Sequence, residues 1–212
     1  MSFDSLAPHY RWMEFVLAGE KLQRCRIAFL DRIANHRDIL VLGEGNGRFL
    51  SEFVTANQSG RITCIDASAK MLHCAQTRLT RENLPNDRVE LMHRDVLDWK
   101  PPHQQFDAIV SHFFLDCFTS NQLELIISRI AASAQPGALW LIADFNAPAR
   151  GFGKWRAKLI LSTMYRYFRW ATKIPAMNLA SPDVPLQQNG FQLRERRLTE
   201  WDLLHSDLWQ NA

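Results

Sequence analysis

Two hydrophobic patterns alternate along this chain. Strand-length runs dominated by apolar residues occur at Ile39–Leu42, Arg61–Asp66, Val89–Val96, Phe106–His112 and Pro136–Asp144, with helix-length stretches between them. Nearly continuous apolar runs suit strands covered on both faces. Their alternation with helices predicts an α/β fold, with a parallel sheet and helices on both sides. Two later runs, Phe191–Leu198 and Leu203–Trp209, are joined only by Thr199-Glu-Trp-Asp202. That connection is too short for a parallel crossover, so the last two strands should be antiparallel. Before the first strand, Phe15, Val16, Leu22, Ile27, Leu30 and Ile33 recur near helical spacing and predict one helix from about Arg11 to Ile33. The pattern reads as a single domain over residues 1–212. It comprises a helical N-terminal segment 1–37, a core 38–144, a helical insertion 145–189 and a C-terminal hairpin 190–212.

The first strand runs directly into Gly43-Glu-Gly45-Asn-Gly47, and a helical pattern follows at Arg48-Phe-Leu. Glycines at such a junction let backbone approach a ligand without a Cβ between them, and the helix start turns free N–H groups the same way. The second strand closes on Asp66, whose carboxylate can accept hydrogen bonds from both hydroxyls of a ribose. A dinucleotide turn requires Gly-x-Gly-x-x-Gly. Here the third glycine comes one residue early, with Arg48 in the dinucleotide position, and reading from Gly45 puts Leu50 there instead.

Gly43-x-Gly45-x-Gly47 after a strand resembles motif I of the class I S-adenosylmethionine (SAM) methyltransferases. The ordered strands that follow fit the same family: Val89–Val96 carrying Asp95, Phe106-Asp-Ala-Ile-Val-Ser-His112, and a fifth strand entered through Pro136-Gly137. The resemblance implies a doubly wound, seven-stranded, mostly parallel sheet with an antiparallel last strand, and SAM as cofactor. It also implies that Gly43, Glu44, Gly45 and Gly47 hold the methionine portion and that Asp66 binds the ribose. Asp95 would face the adenine amino group, with Ala67, Met71, Val96 and His112 completing the cofactor contacts. Asp66 and Asp95 also read as caps of the helices after them, a role compatible with ligand contact. The chain departs from the family at Val41, where most members carry Asp or Glu. Glu44 would then supply the carboxylate for the cofactor's ammonium. Phe3, Asp4, Ala7 and Tyr10 match the opening phrase of the ubiquinone/menaquinone C-methyltransferases, which implies an N-terminal lid; the plain alternative is a packing helix with a surface tyrosine.

A sulfonium-bound methyl is already activated, so direct in-line displacement needs no covalent nucleophile. The protein positions the acceptor, excludes water and, for a phenol, enol or activated ring carbon, provides a base. His112, Asp116 and Tyr10 are the catalytic candidates. His112 has a suitable unperturbed pKa of about 6.5 but also reads as a structural hydrogen-bonder. Asp116 either faces the pocket or caps the next helix, for which Ser120 is an equal candidate. A short-chain dehydrogenase needs Tyr-x-x-x-Lys, whereas Tyr165 is followed by Arg169 and Tyr167 by Ala171. An amide or exocyclic-amine methyltransferase needs Asn/Asp-Pro-Pro-Tyr, whereas the chain has Ser111-His-Phe-Phe114. No set of oxygen ligands suggests a metal site.

Composition narrows the remaining choices. The 212 residues suffice for one sizeable core, and 47% hydrophobic content argues against disorder. A net charge of +3 is too small to imply nucleic acid as a partner. Met1-Ser-Phe-Asp lacks a signal-peptide start and no run has transmembrane length, so a cytoplasmic location is expected. Cys25, Cys64, Cys74 and Cys117 are scattered and read as buried thiols. Residues 151–170 carry Lys154, Lys158, Arg166 and Arg169 opposite Ala157, Ile160, Leu161, Met164 and Phe168, with no acid. Such a helix packs on the sheet, covers a hydrophobic substrate or touches a membrane surface peripherally. The expected partner is a small, aromatic or lipid-like methyl acceptor. The alternative is a catalytically degenerate SAM-binding or protein-interaction module, which the Val41 departure leaves open.

Overall fold

In the computed structural model, which describes residues 19–146 and 181–212, the apolar runs become the strands of one sheet. These are β1 (Asp38–Leu42), β2 (Arg61–Asp66), β3 (Val89–His93), β4 (Phe106–His112), β5 (Ala134–Phe145), β6 (Phe191–Thr199) and β7 (Leu204–Asn211). Their order is β3-β2-β1-β4-β5-β7-β6. The first five strands pair in parallel, and β7 lies antiparallel to both β5 and β6. The sheet is therefore the expected one, with a single reversed strand inserted beside the edge.

Strand alternation sends β1 side chains to opposite faces, and each face acquires its own core. Ile39 and Val41 pack with the helices α2 (Leu30–Ile33), α3 (Arg48–Ala56) and α4 (Ala69–Arg81), chiefly through Ile33, Phe49, Phe53 and Ala75, while α1 (Gly19–Arg26) packs through Cys25 on Ala143 and Leu204. Leu40 and Leu42 pack with α5 (Ser120–Ala131) and α6 (Asp183–Gln188) through Ile126, Ile127, Ile130 and Leu186. Trp140 and Trp209 are fully buried on that second face, where the Trp140 indole donates to Ser111 Oγ at 2.9 Å.

Two elements differ from their predicted extents. The single N-terminal helix is broken within the described residues: α1 and α2 are joined by a tighter turn in which Ala28 and Leu30 donate to the carbonyls of Cys25 and Ile27. The turn buries Phe29 at 2% exposure, under the Arg197 guanidinium at 4.3 Å. Strand β3 stops at His93, so Asp95 lies in the turn beyond it rather than at the strand end. Cys25 and Cys64 are buried, but Cys74 is exposed on the outer side of α4, because helix periodicity carries it away from Ala75 and Leu72.

Candidate functional site

The parallel strands β1 to β5 all end at one rim, and the glycine loop lies there. Gly43, Gly45 and Gly47 have φ of +65°, +68° and +81°, a region that side chains rarely enter. Each glycine has its own environment. A Cβ at Gly47 would lie 2.8 Å from the Ala75 Cα, so this glycine admits close packing of α4. A Cβ at Gly43 would lie 2.2 Å from the Phe114 ring, whereas at Gly45 it would meet nothing within 4 Å. Gly45 is thus the glycine that faces open space. Arg78 of α4 braces the loop by donating to the Asn46 carbonyl at 3.0 Å.

Asp66 ends β2 directly beside this loop. Its Oδ2 accepts the Gly45 N–H at 3.2 Å and its Oδ1 accepts the Ser68 N–H at 2.8 Å. Ser68 in turn caps α4 by accepting the Met71 N–H at 3.2 Å. Ala67 and Asp95 line an open cleft of about 710 Å³ together with His93, Arg94, Asp98, Trp99 and Lys100. Asp95 stabilises its own turn by accepting the Leu97 N–H at 3.0 Å. Val96 and Met71 are buried beneath the rim. A nucleoside fits this donor set: a carboxylate between two strand ends, an open glycine and a neighbouring cleft.

Glu44 turns its carboxylate toward the start of α3, where Oε1 accepts the Leu50 N–H at 2.9 Å. Burial raises its pKa to about 7, against the lowering effect of the backbone hydrogen bonds and of Arg26. Val41 is wholly buried in the apolar core on the α3 face.

His112 ends β4 with its ring edge-on to Phe49 at 4.6 Å. Burial, aided by the positive charge of Arg26, holds its pKa well below the ordinary value, so the ring is neutral at pH 7. Its Nδ1 makes no hydrogen bond among the described residues. Phe113 then takes φ +52°, which turns the chain so that Phe114 covers Gly43 while Phe113 stacks obliquely on Phe145 at 5.2 Å.

Asp116 does not cap α5. The capping residue is Thr119, in a capping box with Gln122. Asp116 is buried instead beside Asp144 of β5, whose Oδ2 accepts the Asp116 N–H at 3.3 Å. Burial raises both carboxyls, Asp116 to about 6 and Asp144 further, and for Asp144 the next cause is the charge of Asp116. Asp144 was missed as a site residue, although the sequence held a signal: it closes an apolar strand just as Asp66 does. Across the sheet, Asp144 faces His205 in register, and His205 Nδ1 lies 3.1 Å from Asp207 Oδ2. Tyr10 and the basic stretch 151–170 lie outside the described residues.

The arrangement matches known proteins in fold. Residues 39–137 match the family model described as a methyltransferase domain. No curated protein matches the sequence. Among solved structures, the mitomycin 7-O-methyltransferase is 17% identical with a TM-score of 0.73, over 100% of this chain and 61% of that one. The magnesium protoporphyrin IX methyltransferase of Synechocystis PCC 6803, with bound S-adenosylhomocysteine (SAH), is 16% identical with a TM-score of 0.66, over 92% and 84%. The N-methyltransferase NodS of Bradyrhizobium japonicum WM9, in complex with SAH, is 16% identical with a TM-score of 0.63, over 91% and 84%. This chain spans 61%, 59% and 55% of the lengths of three such structures. Its fold is that of the class I SAM-dependent methyltransferases.

Proposed function

We propose that this chain, a class I methyltransferase by fold and by the match of residues 39–137 to the methyltransferase-domain family, transfers a methyl group from SAM to a small acceptor. The observation that carries the reading is the junction of Gly45 with Asp66, next to the cleft bordered by Ala67 and Asp95. In this reading Gly43, Glu44, Gly45 and Gly47 hold the methionine portion, and Asp66 holds the ribose. Ala67, Met71, Asp95 and Val96 border the adenine, and His112 lies at the methionine end. When bound, SAM supplies a methyl group already activated for direct displacement. Phe114 and the neighbouring apolar rim exclude water from the reacting end. Asp116, its pKa lifted by burial beside Asp144, takes a proton from an acceptor hydroxyl or acidic ring carbon. Neutral His112, whose buried Nδ1 has no hydrogen-bond partner among the described residues, orients that acceptor.

The acceptor class is a small aromatic or lipid-like molecule, supported by the half-buried Phe113, Phe114, Phe118 and Phe145 at this rim. Calorimetric titration with SAM, SAH and NAD in parallel tests the cofactor. Binding of SAM and SAH without heat from NAD supports the reading, and silence from both sulfur ligands removes it. Methyl transfer to hydrophobic phenols and quinols then tests the acceptor.

A second reading, a SAM-binding module without turnover, is favoured by one observation: Val41 is apolar and buried while Glu44 is engaged at the start of α3. SAM binding with no methyl transfer to any phenol, quinol or amine would select it. Peripheral membrane contact through 151–170 is a separate proposal. Co-sedimentation with anionic vesicles that fades with salt would support it.

A further inference from the structure

Asp116, Asp144, His205 and Asp207 are all buried, yet the chemistry proposed above uses only the first two. The four share one face of the sheet. Asp144 of β5 and His205 of β7 are directly opposed in antiparallel register, which sets their Cβ atoms about 5 Å apart on the same side. Asp207, two residues along β7, projects to that side as well. Asp116 reaches it from the turn after β4, where its N–H donates to Asp144 Oδ2 at 3.3 Å. A histidine of no assigned role thus stands between an anchored carboxylate and the carboxyl pair of the site.

The anchor is Asp207. Arg196 donates to it twice, at 2.8 and 2.6 Å, and the Asp207 pKa lies below the usual value in spite of burial, so the group is ionised at pH 7. His205 Nδ1 lies 3.1 Å from Asp207 Oδ2 but out of line, and makes no hydrogen bond among the described residues. So close a contact without a hydrogen bond acts through charge, and it favours an imidazolium. Burial lifts the Asp116 carboxyl to about 6, and the charge of His205 is among the effects that keep it from rising further.

Other ionisable groups nearby do not supply that positive charge. Burial raises Asp144 and Cys117, whose Sγ lies 3.5 Å from Asp116 Oδ1. Cys25 of α1, hydrogen-bonded to Ser206, is raised to about 11 and stays a thiol. Leu198, opposite His205 on β6, is apolar. Arg196 is shared between Asp207 and Asp183, Lys21 is paired with Glu200, and Arg26 lies over the Phe113 ring.

We infer that His205 is a positioning residue for methyl transfer: as an imidazolium seated on Asp207, it is the cation that holds Asp116 as a carboxylate beside the neutral Asp144 carboxyl. The inference rests on the reading of Asp116 as the group that takes the acceptor's proton. Charge then alternates from Arg196 through Asp207 and His205 to Asp116, so each buried ion has an opposite neighbour. Two residues at the far end of the chain would in this way prepare a base that lies in the turn after β4.

The test uses the full chain labelled with aspartate carrying carbon-13 at the carboxyl carbon and saturated with SAH. The Asp116 signal is assigned by its loss in Asp116→Asn and followed against pH, with a midpoint expected near pH 6 in the native chain. His205→Gln removes the charge but keeps a polar side chain, and should raise that midpoint by about one pH unit. His205→Lys restores a cation and should leave it at or below the native value. SAH affinity should be unchanged in both variants. A midpoint unchanged in His205→Gln, or raised in His205→Lys, overturns the inference while the methyl-transfer reading stands, and either variant decides alone if the other does not fold. Absence of SAH binding to the native chain would remove the reading beneath it as well.

Discussion

The Gly45 N–H lies 3.2 Å from Oδ2 of Asp66, so the acid that ends β2 is hydrogen-bonded to the open glycine of the loop that ends β1. One carboxylate thus orders the loop and, in the proposed reading, also holds the ribose. Replacement by alanine removes a charged acceptor from both roles. At about 1.5–3 kcal/mol for a hydrogen bond to a charged group, Asp66→Ala should weaken SAM binding roughly 10- to 150-fold. Calorimetric titration of the variant checks this, and unchanged affinity would remove the ribose assignment.

The loop glycines should separate binding from folding. Gly45→Ala meets no neighbour and incurs only left-handed strain, about 1–2 kcal/mol. Gly47→Ala adds a contact of 2.8 Å with the α4 backbone, so overpacking of about 1–3 kcal/mol comes on top. Urea unfolding should rank Gly47→Ala clearly below Gly45→Ala. SAM affinity should fall in Gly45→Ala even though that variant folds.

Asp116 and Asp144 give stability a distinct pH dependence. Both folded-state pKa values lie above the unfolded value, so their contribution is fully present below pH 4 and is lost as pH rises through about 6 for Asp116. A rise of about two pKa units corresponds to roughly 3 kcal/mol. Asp144→Asn keeps an acceptor oxygen for one of the two N–H groups, Phe145 or Asp116, and removes the ionisable carboxyl. The urea midpoint of the native chain should therefore fall between pH 5 and pH 8, and that fall should shrink in the variant. In catalysis, the low-pH limb set by Asp116 should stay near pH 6 in Asp144→Asn, because Asp144 is already neutral where Asp116 ionises.

Glu44 can be examined through the cofactor. Burial lifts its carboxyl to about 7, so a cofactor ammonium beside it would be bound more tightly as pH rises from 6 to 8. Glu44→Gln retains an acceptor for the Leu50 N–H, and in it the SAM affinity should be weaker and flat with pH. Equal profiles in both proteins would leave Glu44 as a helix-start bond only.

How far the sequence carries depends on which interactions are local. Strands β1, β2, β4 and β5 were legible because continuous apolar runs between helix-length stretches have few other solutions in a protein of this size. The glycine triplet and Asp66 were legible because backbone conformation and strand ends are local properties. The break between α1 and α2 was not, since it serves Phe29, which packs under Arg197 from the far end of the chain. The pairing of Asp116 with Asp144 was hidden likewise: 28 residues separate them, and only the β4–β5 register and the left-handed turn at Phe113 bring them together. Glu44 was legible as an acid between glycines, but its bond to Leu50 depends on how the loop turns.

The edge of the sheet supplies the last prediction. Arg196 on β6 donates to Asp207 of β7 at 2.8 and 2.6 Å and to Asp183 of α6 at 3.1 and 2.9 Å, tying helix and hairpin together. Burial pushes the Asp207 carboxyl up, but Arg196 and the neighbouring His205 outweigh it, and its pKa lies below the usual value. The Asp207 side chain is fully buried while the Arg196 guanidinium remains partly exposed. Arg196→Ala leaves this buried charge with only the Trp209 indole and His205 beside it, and the expected loss is about 3 kcal/mol. Arg196→Lys should recover only part, because an ammonium cannot make the paired fork contacts. The sign with pH follows from the depressed pKa: the native chain loses this contribution as pH falls through the folded pKa of Asp207. In Arg196→Ala, protonation relieves the carboxylate that has lost its guanidinium, so the stability gap to the native chain should narrow toward pH 3. Chemical denaturation of the native chain and the alanine variant across that range measures it, and a gap constant with pH would mean that Arg196 acts through packing alone.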